Sequence, residues 1–188
     1  MTIQRLERSP ALRWRRDRDL SFQAWIDELD PACLPSARLV LHPDEVREAV
    51  TEVCKRAGTP STPERTHLIE DVDAISTLFA DLLQYPFLRL RFDVINTNAC
   101  CKFHMDMVKA RLICTYRGTG TQYGFAQWDR APTQIRTVPT GSPIVLRGKH
   151  WPMDHRLSLL HRSPQIEGTG ETRLLLVLDP VQERTNGP

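Results

Sequence analysis

The period of the hydrophobic pattern changes near residue 87, and this change constrains the fold of the 188-residue chain more than any other feature. Before that point apolar residues recur at intervals of three and four, which is typical of amphipathic helices. After it they alternate, which is typical of half-buried strands. Parallel strands need long crossover connections, usually helical, and the second half shows no helical pattern. The sequence therefore predicts an α+β protein rather than a parallel α/β sheet.

Three helices are predicted in the first half. Asp19 or Ser21 can cap the first helix, which ends before Pro31. Pro43 lies in the first turn of the second helix, where a missing N–H is tolerated, and Gly58 ends that helix. The third helix carries the apolar residues Ile69, Val72, Ile75, Leu78, Phe79, Leu82 and Leu83.

Seven short strands are predicted in the second half. They cover residues 88–95, 110–116, 121–126, 133–138, 143–146, 156–161 and 173–178. Short strands separated by Gly, Pro and Thr turns are typical of a sandwich or a closed barrel. The sequence therefore predicts a helical region over residues 1–86 that packs on a β-barrel over residues 87–182, with a disordered tail at 183–188.

The charges of the chain are nearly balanced, with a formal net charge of +2. A basic cluster near the amino terminus consists of Arg13, Arg15, Arg16 and Arg18. It is not followed by the apolar stretch of a secretory signal, and no apolar run approaches the ~20 residues of a transmembrane helix. We therefore expect a soluble, cytoplasmic protein that binds neither nucleic acid nor a membrane. The sequence leaves open an oligomer, and a small molecule or a protein as substrate.

The five cysteines are Cys33, Cys54, Cys100, Cys101 and Cys114. Their number is odd and no C-x-x-C pair is present, so the pattern indicates neither a zinc ribbon nor a thioredoxin motif. The simplest interpretation is that they are reduced thiols, most of them buried. The alternative is that the adjacent pair at positions 100 and 101 assists a metal site.

His104-Met105-Asp106 predicts a metal site. In extended chain alternate side chains point to one face, so the imidazole and the carboxylate converge. His161, at the end of a predicted apolar strand, supplies a third ligand. Two histidines and one carboxylate leave coordination positions open, as in non-haem Fe(II) oxygenases. A second His-x-Asp match, at residues 42–44, is better explained as the start of a helix.

An arginine begins the strand that follows His161. Arg173 lies 12 positions after that histidine, and a guanidinium at the mouth of a barrel can bind a carboxylate through two hydrogen bonds. Pairing of Arg173 with Glu171 or Asp179 on the surface explains it equally well. Arg111 and Arg147 are alternative anion-binding residues.

The order of a His-x-Asp motif, a distal histidine and an arginine one strand later resembles the Fe(II)/2-oxoglutarate-dependent dioxygenases. That resemblance implies a double-stranded β-helix, also described as a jelly-roll or cupin-like barrel. It also implies Fe(II) bound by His104, Asp106 and His161, and 2-oxoglutarate held by Arg173.

The segment 111–116 resembles the strand after the His-x-Asp motif of prolyl hydroxylases, where a tyrosine contacts the cosubstrate. By that resemblance Tyr116 would contact 2-oxoglutarate. From the residues alone, Tyr116 as a core aromatic is the favoured interpretation.

Three further stretches resemble a bacterial family, domain of unknown function 1826. They are Lys102-Phe103-His104-Met105-Asp106, Cys114-Thr115-Tyr116-Arg117-Gly118 and His161-Arg162-Ser163-Pro164. The family resemblance implies a role in metal limitation, because its members are associated with zinc-responsive gene neighbourhoods beside metal-handling GTPases.

Two other functions remain open. The three ligands could bind Zn²⁺ with Cys101 or Cys114 as a fourth ligand, in a non-redox protein of zinc homeostasis. A cupin-like isomerase or lyase is the third possibility. His150, in the loop before the distal strand, is a candidate for an additional role near the metal or the substrate.

Overall fold

The structure, a computed structural model, describes residues 3–17, 19–127, 131–152 and 157–184. The helices of these residues are α1 Ile3–Arg8, α2 Leu20–Glu28, α3 Val46–Arg56 and α4 Pro63–Leu83, with 3₁₀ turns at Pro31–Cys33 and Pro43–Glu45. The strands are β1 Ala11–Arg13, β2 Ala37–Leu41, β3 Phe87–Ile95, β4 Ala110–Arg117, β5 Gln122–Gln127, β6 Arg136–Thr137, β7 Ile144–Arg147, β8 Leu157–Arg162 and β9 Arg173–Val181.

The three predicted helices are confirmed as α2, α3 and α4. Asp19, rather than Ser21, caps α2, and its carboxylate accepts the backbone N–H groups of Ser21 and Phe22. Thr62 caps α4, which begins with a proline at its first position. These side chains satisfy N–H groups that have no partner inside the helix.

The His-x-Asp match at residues 42–44 begins a helix, as predicted. The His42 ring accepts the backbone N–H of Asp44 at 3.4 Å, and the Glu45 carboxylate accepts the backbone N–H of His42 at 2.7 Å. This reciprocal capping is the usual device at a helix start. Its residues lie in the 3₁₀ turn that leads into α3.

The strands form two sheets. The larger has the order β1-β7-β4-β9-β3-β2, and the smaller has the order β6-β5-β8. Every strand pair described is antiparallel, which confirms that the chain does not build a parallel α/β sheet. The chain is therefore an α+β protein with antiparallel sheets.

The two sheets share one core and the helices cover the other face of the larger sheet. Ile113, Val177 and Leu159 pack together between the sheets. Phe79 of α4 and Phe92 of β3 belong to a second core, beneath the helices. Because both faces of the large sheet are covered, β4 and β9 are buried along most of their length. This arrangement encloses the space where the candidate site lies.

Two strands of the first half were missed. β1 pairs with β7 and β2 pairs with β3, so the region over residues 1–86 adds a strand to each edge of the larger sheet besides its helices. β1 has three residues, too few to display a period, and only Leu41 of β2 is fully buried. Of the strand predicted over residues 133–138, only the two residues of β6 form a strand.

Two predicted segments of the second half, the distal strand and the tail, lie partly outside the described residues. Arg156, where the distal strand was predicted to begin, lies outside the described residues. Of the predicted tail, Arg184 lies with Nη1 3.0 Å from Oε1 of Glu45, and residues 185–188 are outside the described part. Among the described helices, none is both long and apolar enough to cross a bilayer.

Candidate metal centre

A single backbone bridge brings the two candidate histidines together. The N–H of His104 donates to the carbonyl of His161, and the N–H of His161 donates to the carbonyl of His104, both at 3.0 Å. Their rings lie side by side, with centroids 4.5 Å apart. His161 belongs to β8, whereas His104 lies in the loop before β4. The bridge therefore brings together the two histidines, which are distant in sequence, while the predicted alternation concerned His104 and Asp106.

The Asp106 carboxylate faces both rings. Its Oδ1 lies 3.5 Å from Nε2 of His104, and its Oδ2 lies 3.0 Å from Nε2 of His161. Ligand atoms that share one ion at roughly 2.1 Å lie about 3–3.5 Å apart. Among the described residues, these three form the group whose ligand atoms all lie within 4.8 Å of one another. The spacing fits a single divalent ion.

The tautomer of His104 also suits an ion. Nδ1 lies 2.8 Å from the carbonyl oxygen of Lys102. Because a carbonyl only accepts, Nδ1 carries the hydrogen of the neutral ring and the lone pair is on Nε2. A backbone carbonyl that fixes the ligating histidine in this way is common around bound metals.

Arg111 holds the Asp106 carboxylate in place through a hydrogen bond. Its Nη1 donates to Oδ1 of Asp106 at 2.5 Å, while Nε and Nη2 donate to the two oxygens of Asp179 at 2.6 and 2.7 Å. Oδ2 of Asp106 is buried and accepts no hydrogen bond from the described residues. Arg111, which was an alternative anion-binding residue by sequence, is therefore already bound to two carboxylates. It leaves Oδ2 of Asp106 available to a metal.

The charges of the cluster influence its protonation. Burial alone would raise the pKa of Asp106, but contacts with His104 and His161 and the charge of Arg111 outweigh it, so the pKa lies far below its usual range. The hydrogen bond with Asp106 raises the pKa of His104, against the opposing effect of burial. At neutral pH the carboxylate is ionised, and at His104 a proton competes with a metal.

Metal affinity is expected to fall on acidification through the raised pKa of His104, because the ion needs the deprotonated ring. Above that pKa the affinity becomes independent of this proton. Titrations with Co(II) at a series of pH values between about 5.5 and 8 measure the effect. A matched series on His150→Ala, which removes an exposed imidazole outside the ligand cluster, should show the same pH dependence. Affinity that does not decrease towards acid pH in the wild-type protein would contradict this assignment.

A cavity of about 70 Å³ lies beside the two histidines. A water molecule needs about 10–15 Å³, so the cavity has room for further ligands of an ion. Its wall consists of Arg91, Asp93, Ile95, Cys100, His104, Arg111, Ile113, Thr121, His161, Arg162, Ser163, Leu175 and Val177. Sequence reasoning missed Arg91 and Arg162, because charged residues on strands look like solvent-facing ones.

Arg173 is buried with part of its guanidinium unpaired. The residue is 0% exposed, and its Nε donates to the carbonyl of Thr119 at 2.7 Å. Nη1 and Nη2 are buried and have no hydrogen-bond partner among the described residues. Desolvation lowers the pKa of Arg173 to about 10, although the charge of Glu171 opposes this. A buried, unpaired cation is unfavourable, so the position suits an anionic ligand.

The register places Arg173 on the inner face of the large sheet. Alternate residues of β9 share a face, so Arg173 projects to the same side as Leu175 and Val177, both in the cavity wall. Its cross-strand partner, Ile95, also lines the cavity. Surface pairing is not formed, since Asp179 accepts from Arg111 and the Glu171 side chain accepts from Thr119.

The structure does not bring Tyr116 or Cys114 to the cluster. Both belong to the core beneath the helices, on the opposite face of the large sheet. The Tyr116 hydroxyl donates to Oδ2 of Asp71 at 2.6 Å, and Sγ of Cys114 lies 3.7 Å from Nη2 of Arg16. Tyr116 is thus a core aromatic that lies on the opposite face of the large sheet from the three candidate ligands.

The other candidate residues also lie outside the ligand cluster. Cys101 is half-buried and His150 is exposed, and neither joins the three ligands. Cys100 lines the cavity and is exposed, with a positive φ of 56°. All five thiols are free, but only Cys54 and Cys114 are buried, so the expectation of mostly buried thiols is corrected. Arg147 lies with its guanidinium carbon 5.9 Å from the ring centroid of Trp151.

Gly148→Ala is expected to weaken metal binding by about tenfold or more, as loss of supporting contacts around ligands commonly does. A Cβ on Gly148 would lie 2.0 Å from the carbonyl oxygen of Val108 and 2.8 Å from that of Asp106, so the ligand loop must move. Metal titration and thermal unfolding measure the effect.

In the control Gly168→Ala, the new Cβ meets open space at a φ of +80°. Gly168→Ala should lower the free energy of unfolding by about 1 kcal/mol and leave metal affinity unchanged. Equal metal affinity in both variants would refute the role of Gly148.

The fold is shared with solved structures of oxygenases. The dioxygenase for auxin oxidation 1 from Arabidopsis thaliana, described with 2-oxoglutarate, superposes with a TM-score of 0.57 at 12% identity, covering 96% of this chain and 86% of that one. A 2OG-Fe(II) oxygenase family oxidoreductase from Burkholderia pseudomallei gives 0.50 at 14% identity, covering 97% and 90%. The chain therefore shares its overall fold with this class of protein.

The family is defined by sequence. The profile described as "Protein of unknown function (DUF1826)" matches residues 5–179, so the chain belongs to that family, as its motifs predicted. No curated protein matches it in sequence.

Proposed function

We propose that the chain is a non-haem Fe(II)/2-oxoglutarate-dependent oxygenase, with its two sheets forming the double-stranded β-helix of that class. One observation carries this proposal. Three ligand atoms face one another beside a cavity, and the same sheet face continues to a buried arginine whose two N–H₂ groups have no hydrogen-bond partner among the described residues. The first feature suits a divalent metal and the second suits a carboxylate.

In this proposal His104, Asp106 and His161 would hold the metal, and Arg173 would hold the distal carboxylate of 2-oxoglutarate. Fe(II) and 2-oxoglutarate, when bound, supply the activation of dioxygen and the oxidation of a substrate C–H bond, with succinate and CO₂ as co-products. The Lys102 carbonyl orients the His104 ring. Arg111 holds the carboxylate, so that the ligand set is preorganised.

The chain's apolar residues would keep water from the reacting centre. Ile113, Leu175 and Val177 form the inner wall of the cavity and are nearly inaccessible to solvent. In a site of this kind, exclusion of water strengthens electrostatic interactions and prevents side reactions. These residues therefore give the inner side of the proposed site an apolar wall.

The donor set disfavours the alternative of a closed zinc site. Structural zinc sites hold four protein ligands, whereas Cys101 and Cys114 are outside the cluster. A site with three protein ligands keeps positions free, as a reaction requires. The buried arginine favours a carboxylate cosubstrate over an isomerase or lyase reaction without one.

Release of succinate tests the proposal. Purified protein with Fe(II), 2-oxoglutarate and dioxygen should form succinate slowly even without substrate, and omission of Fe(II) or dioxygen should stop it. Asp106→Ala, which lacks a metal ligand, is the matched blank for contaminating enzymes. Succinate formation equal in the blank, or absent with the metal and 2-oxoglutarate shown to be bound, would overturn the proposed reaction.

A further inference from the structure

The two oxygens of the Asp106 carboxylate have different surroundings. Oδ1 accepts a hydrogen bond from Nη1 of Arg111 at 2.5 Å, whereas Oδ2 is buried and accepts none from the described residues. Oδ2 lies 3.0 Å from Nε2 of His161, and Oδ1 lies 3.5 Å from Nε2 of His104. Both oxygens are therefore close to the imidazoles, and the hydrogen bond from Arg111 distinguishes one oxygen from the other.

Asp179 holds Arg111 in this position. Its two oxygens accept hydrogen bonds from Nε and Nη2 of Arg111 at 2.6 and 2.7 Å. The side chain of Asp179 is 4% exposed, and that of Arg111 is 17% exposed. Strand pairing explains the contact, because Leu112 of β4 is opposite Leu178 of β9, and the next position brings Arg111 beside Asp179. Two parallel hydrogen bonds to a carboxylate fix the orientation of a guanidinium.

The backbone of Asp106 is held as well. Its carbonyl accepts the N–H of Lys149 at 2.8 Å. With the main chain fixed, rotation of the carboxylate would break the hydrogen bond between Oδ1 and Arg111. A hydrogen bond between two charged groups is roughly twice as strong as one between neutral groups. Oδ1 is therefore kept on Arg111, while Oδ2 is directed towards the two imidazoles.

The number of carboxylate oxygens on a metal decides how many coordination positions stay open. An octahedral ion held by two imidazoles and one oxygen keeps three positions, whereas one held by two imidazoles and both oxygens keeps two. 2-Oxoglutarate, which binds through two of its oxygens, fills two positions. A position for dioxygen is therefore left only if Asp106 contributes a single oxygen.

We propose that Arg111 and Asp179 are positioning residues that restrict Asp106 to one metal bond, through Oδ2, and thereby keep a coordination position for dioxygen. This assignment rests on the proposed oxygenase function, because the third open position has a use only if dioxygen binds beside 2-oxoglutarate. Arg111 reserves Oδ1 for a hydrogen bond, and Asp179 fixes Arg111. Neither residue is itself a ligand of the metal.

Diffraction from crystals of the Co(II) protein measures the coordination of Asp106 directly. We expect Oδ2 at ligand distance from the ion, about 2.0–2.2 Å, and Oδ1 still bonded to Nη1 of Arg111. Two Asp106 oxygens at ligand distance, or Oδ1 alone, would overturn the assignment. The measurement uses the unaltered chain, so it does not depend on the folding of any variant.

The double variant Arg111→Met/Asp179→Leu tests the consequence for dioxygen. It removes a positive and a negative charge together, so neither member of the pair is left as a buried, unpaired charge. The probe is nitric oxide, a stable substitute for dioxygen, whose binding to Fe(II) is detected without turnover by electron paramagnetic resonance. With 2-oxoglutarate at saturation, the wild type should bind nitric oxide, and the double variant should bind it about tenfold more weakly or less, as for other contacts around ligands.

The same measurement without 2-oxoglutarate separates this role from a structural one. Both proteins should then bind nitric oxide, because two positions stay open even when both carboxylate oxygens are on the metal. A variant with a damaged metal site would instead lose the signal under both conditions. The difference between the two conditions therefore reports the number of open positions.

Two further variants complete the comparison. Arg47→Met/Asp73→Leu removes another arginine–aspartate pair, between α3 and α4, with Nη2 and Oδ2 3.0 Å apart, and it should behave as the wild type does. Arg111→Lys keeps the charge but has a single nitrogen, which cannot reproduce the fork that joins Asp179 to Asp106. Its nitric oxide signal in the presence of 2-oxoglutarate should lie between those of the wild type and the double variant.

Equal nitric oxide binding by the double variant and the wild type, with 2-oxoglutarate present, would overturn the assignment, since Asp106 would then keep one metal bond without Arg111. If the double variant loses the metal, Arg111→Lys and the diffraction measurement decide. Failure of the proposed function is distinguishable, because the wild type would then bind no metal, or would show no metal-dependent binding of 2-oxoglutarate. That result would remove the oxygenase proposal whatever the coordination of Asp106.

Discussion

The variant His161→Ala is expected to lose stoichiometric metal binding. The wild type should bind about one Co(II) or Fe(II) per chain, and loss of one of three protein ligands should weaken binding by more than about 100-fold, because supporting contacts alone contribute 10–100-fold. Removal of this side chain also leaves the Asp106 carboxylate without the ring that faces it at 3.0 Å. Equilibrium titration and elemental analysis of the purified protein measure the change.

His150→Ala is the matched control for this variant. His150 is exposed and lies outside the ligand cluster, so its removal should leave both stoichiometry and affinity unchanged. His161 is 5% exposed, so a second variant, His161→Gln, keeps most of the side-chain volume and guards against a loss of folding. Binding of one ion with wild-type affinity by a folded His161 variant would show that the ion lies elsewhere.

The variant Arg173→Met is expected to weaken 2-oxoglutarate binding by about 100-fold or more while the metal still binds, since loss of a buried charge partner commonly costs 2–5 kcal/mol. Methionine fills a similar space without a charge. Because Nη1 and Nη2 of the arginine are buried and have no partner in the described part of the chain, the metal-free and cosubstrate-free variant should be at least as stable as the wild type. Calorimetric titration and thermal unfolding measure the two effects.

The variant Tyr116→Phe tests on which face of the large sheet 2-oxoglutarate binds. Its hydroxyl bonds Asp71 beneath the helices, so its loss should cost about 1 kcal/mol of stability. Binding of 2-oxoglutarate should not change. If Tyr116→Phe weakened 2-oxoglutarate binding strongly and Arg173→Met did not, the cosubstrate would lie on the helical side, contrary to the proposed site.

The meeting of His104, Asp106 and His161 could be predicted from sequence because their chemistry is specific, but the face on which Tyr116 lies could not. A shift of one residue moves a strand side chain to the other face of its sheet. Six of the eight residues of β4 are buried, since helices cover one face and the second sheet covers the other. A strand buried on both faces shows no alternation from which the inner side can be identified.

The missed strands and the missed cavity arginines have related physical causes. β2 pairs along one edge only, and most of its residues are partly accessible, so its pattern carries little periodicity. Arg91 on β3 and Arg162 at the end of β8 are polar residues, and hydrophobic patterning assigns polar positions on strands to solvent. The bridge between His104 and His161 joins residues 57 positions apart by the difference of their numbers, and local sequence carries no signal for it.

Anomalous diffraction tests the central claim most directly. Crystals grown with Co(II) and N-oxalylglycine, an isostere of 2-oxoglutarate, would be measured on both sides of the cobalt absorption edge. We expect one strong anomalous peak within bonding distance of His104 Nε2, His161 Nε2 and an Asp106 oxygen, with the distal carboxylate of the isostere on the guanidinium of Arg173. A metal peak bound by other residues, or an isostere whose carboxylate lies away from Arg173, would contradict the central claim.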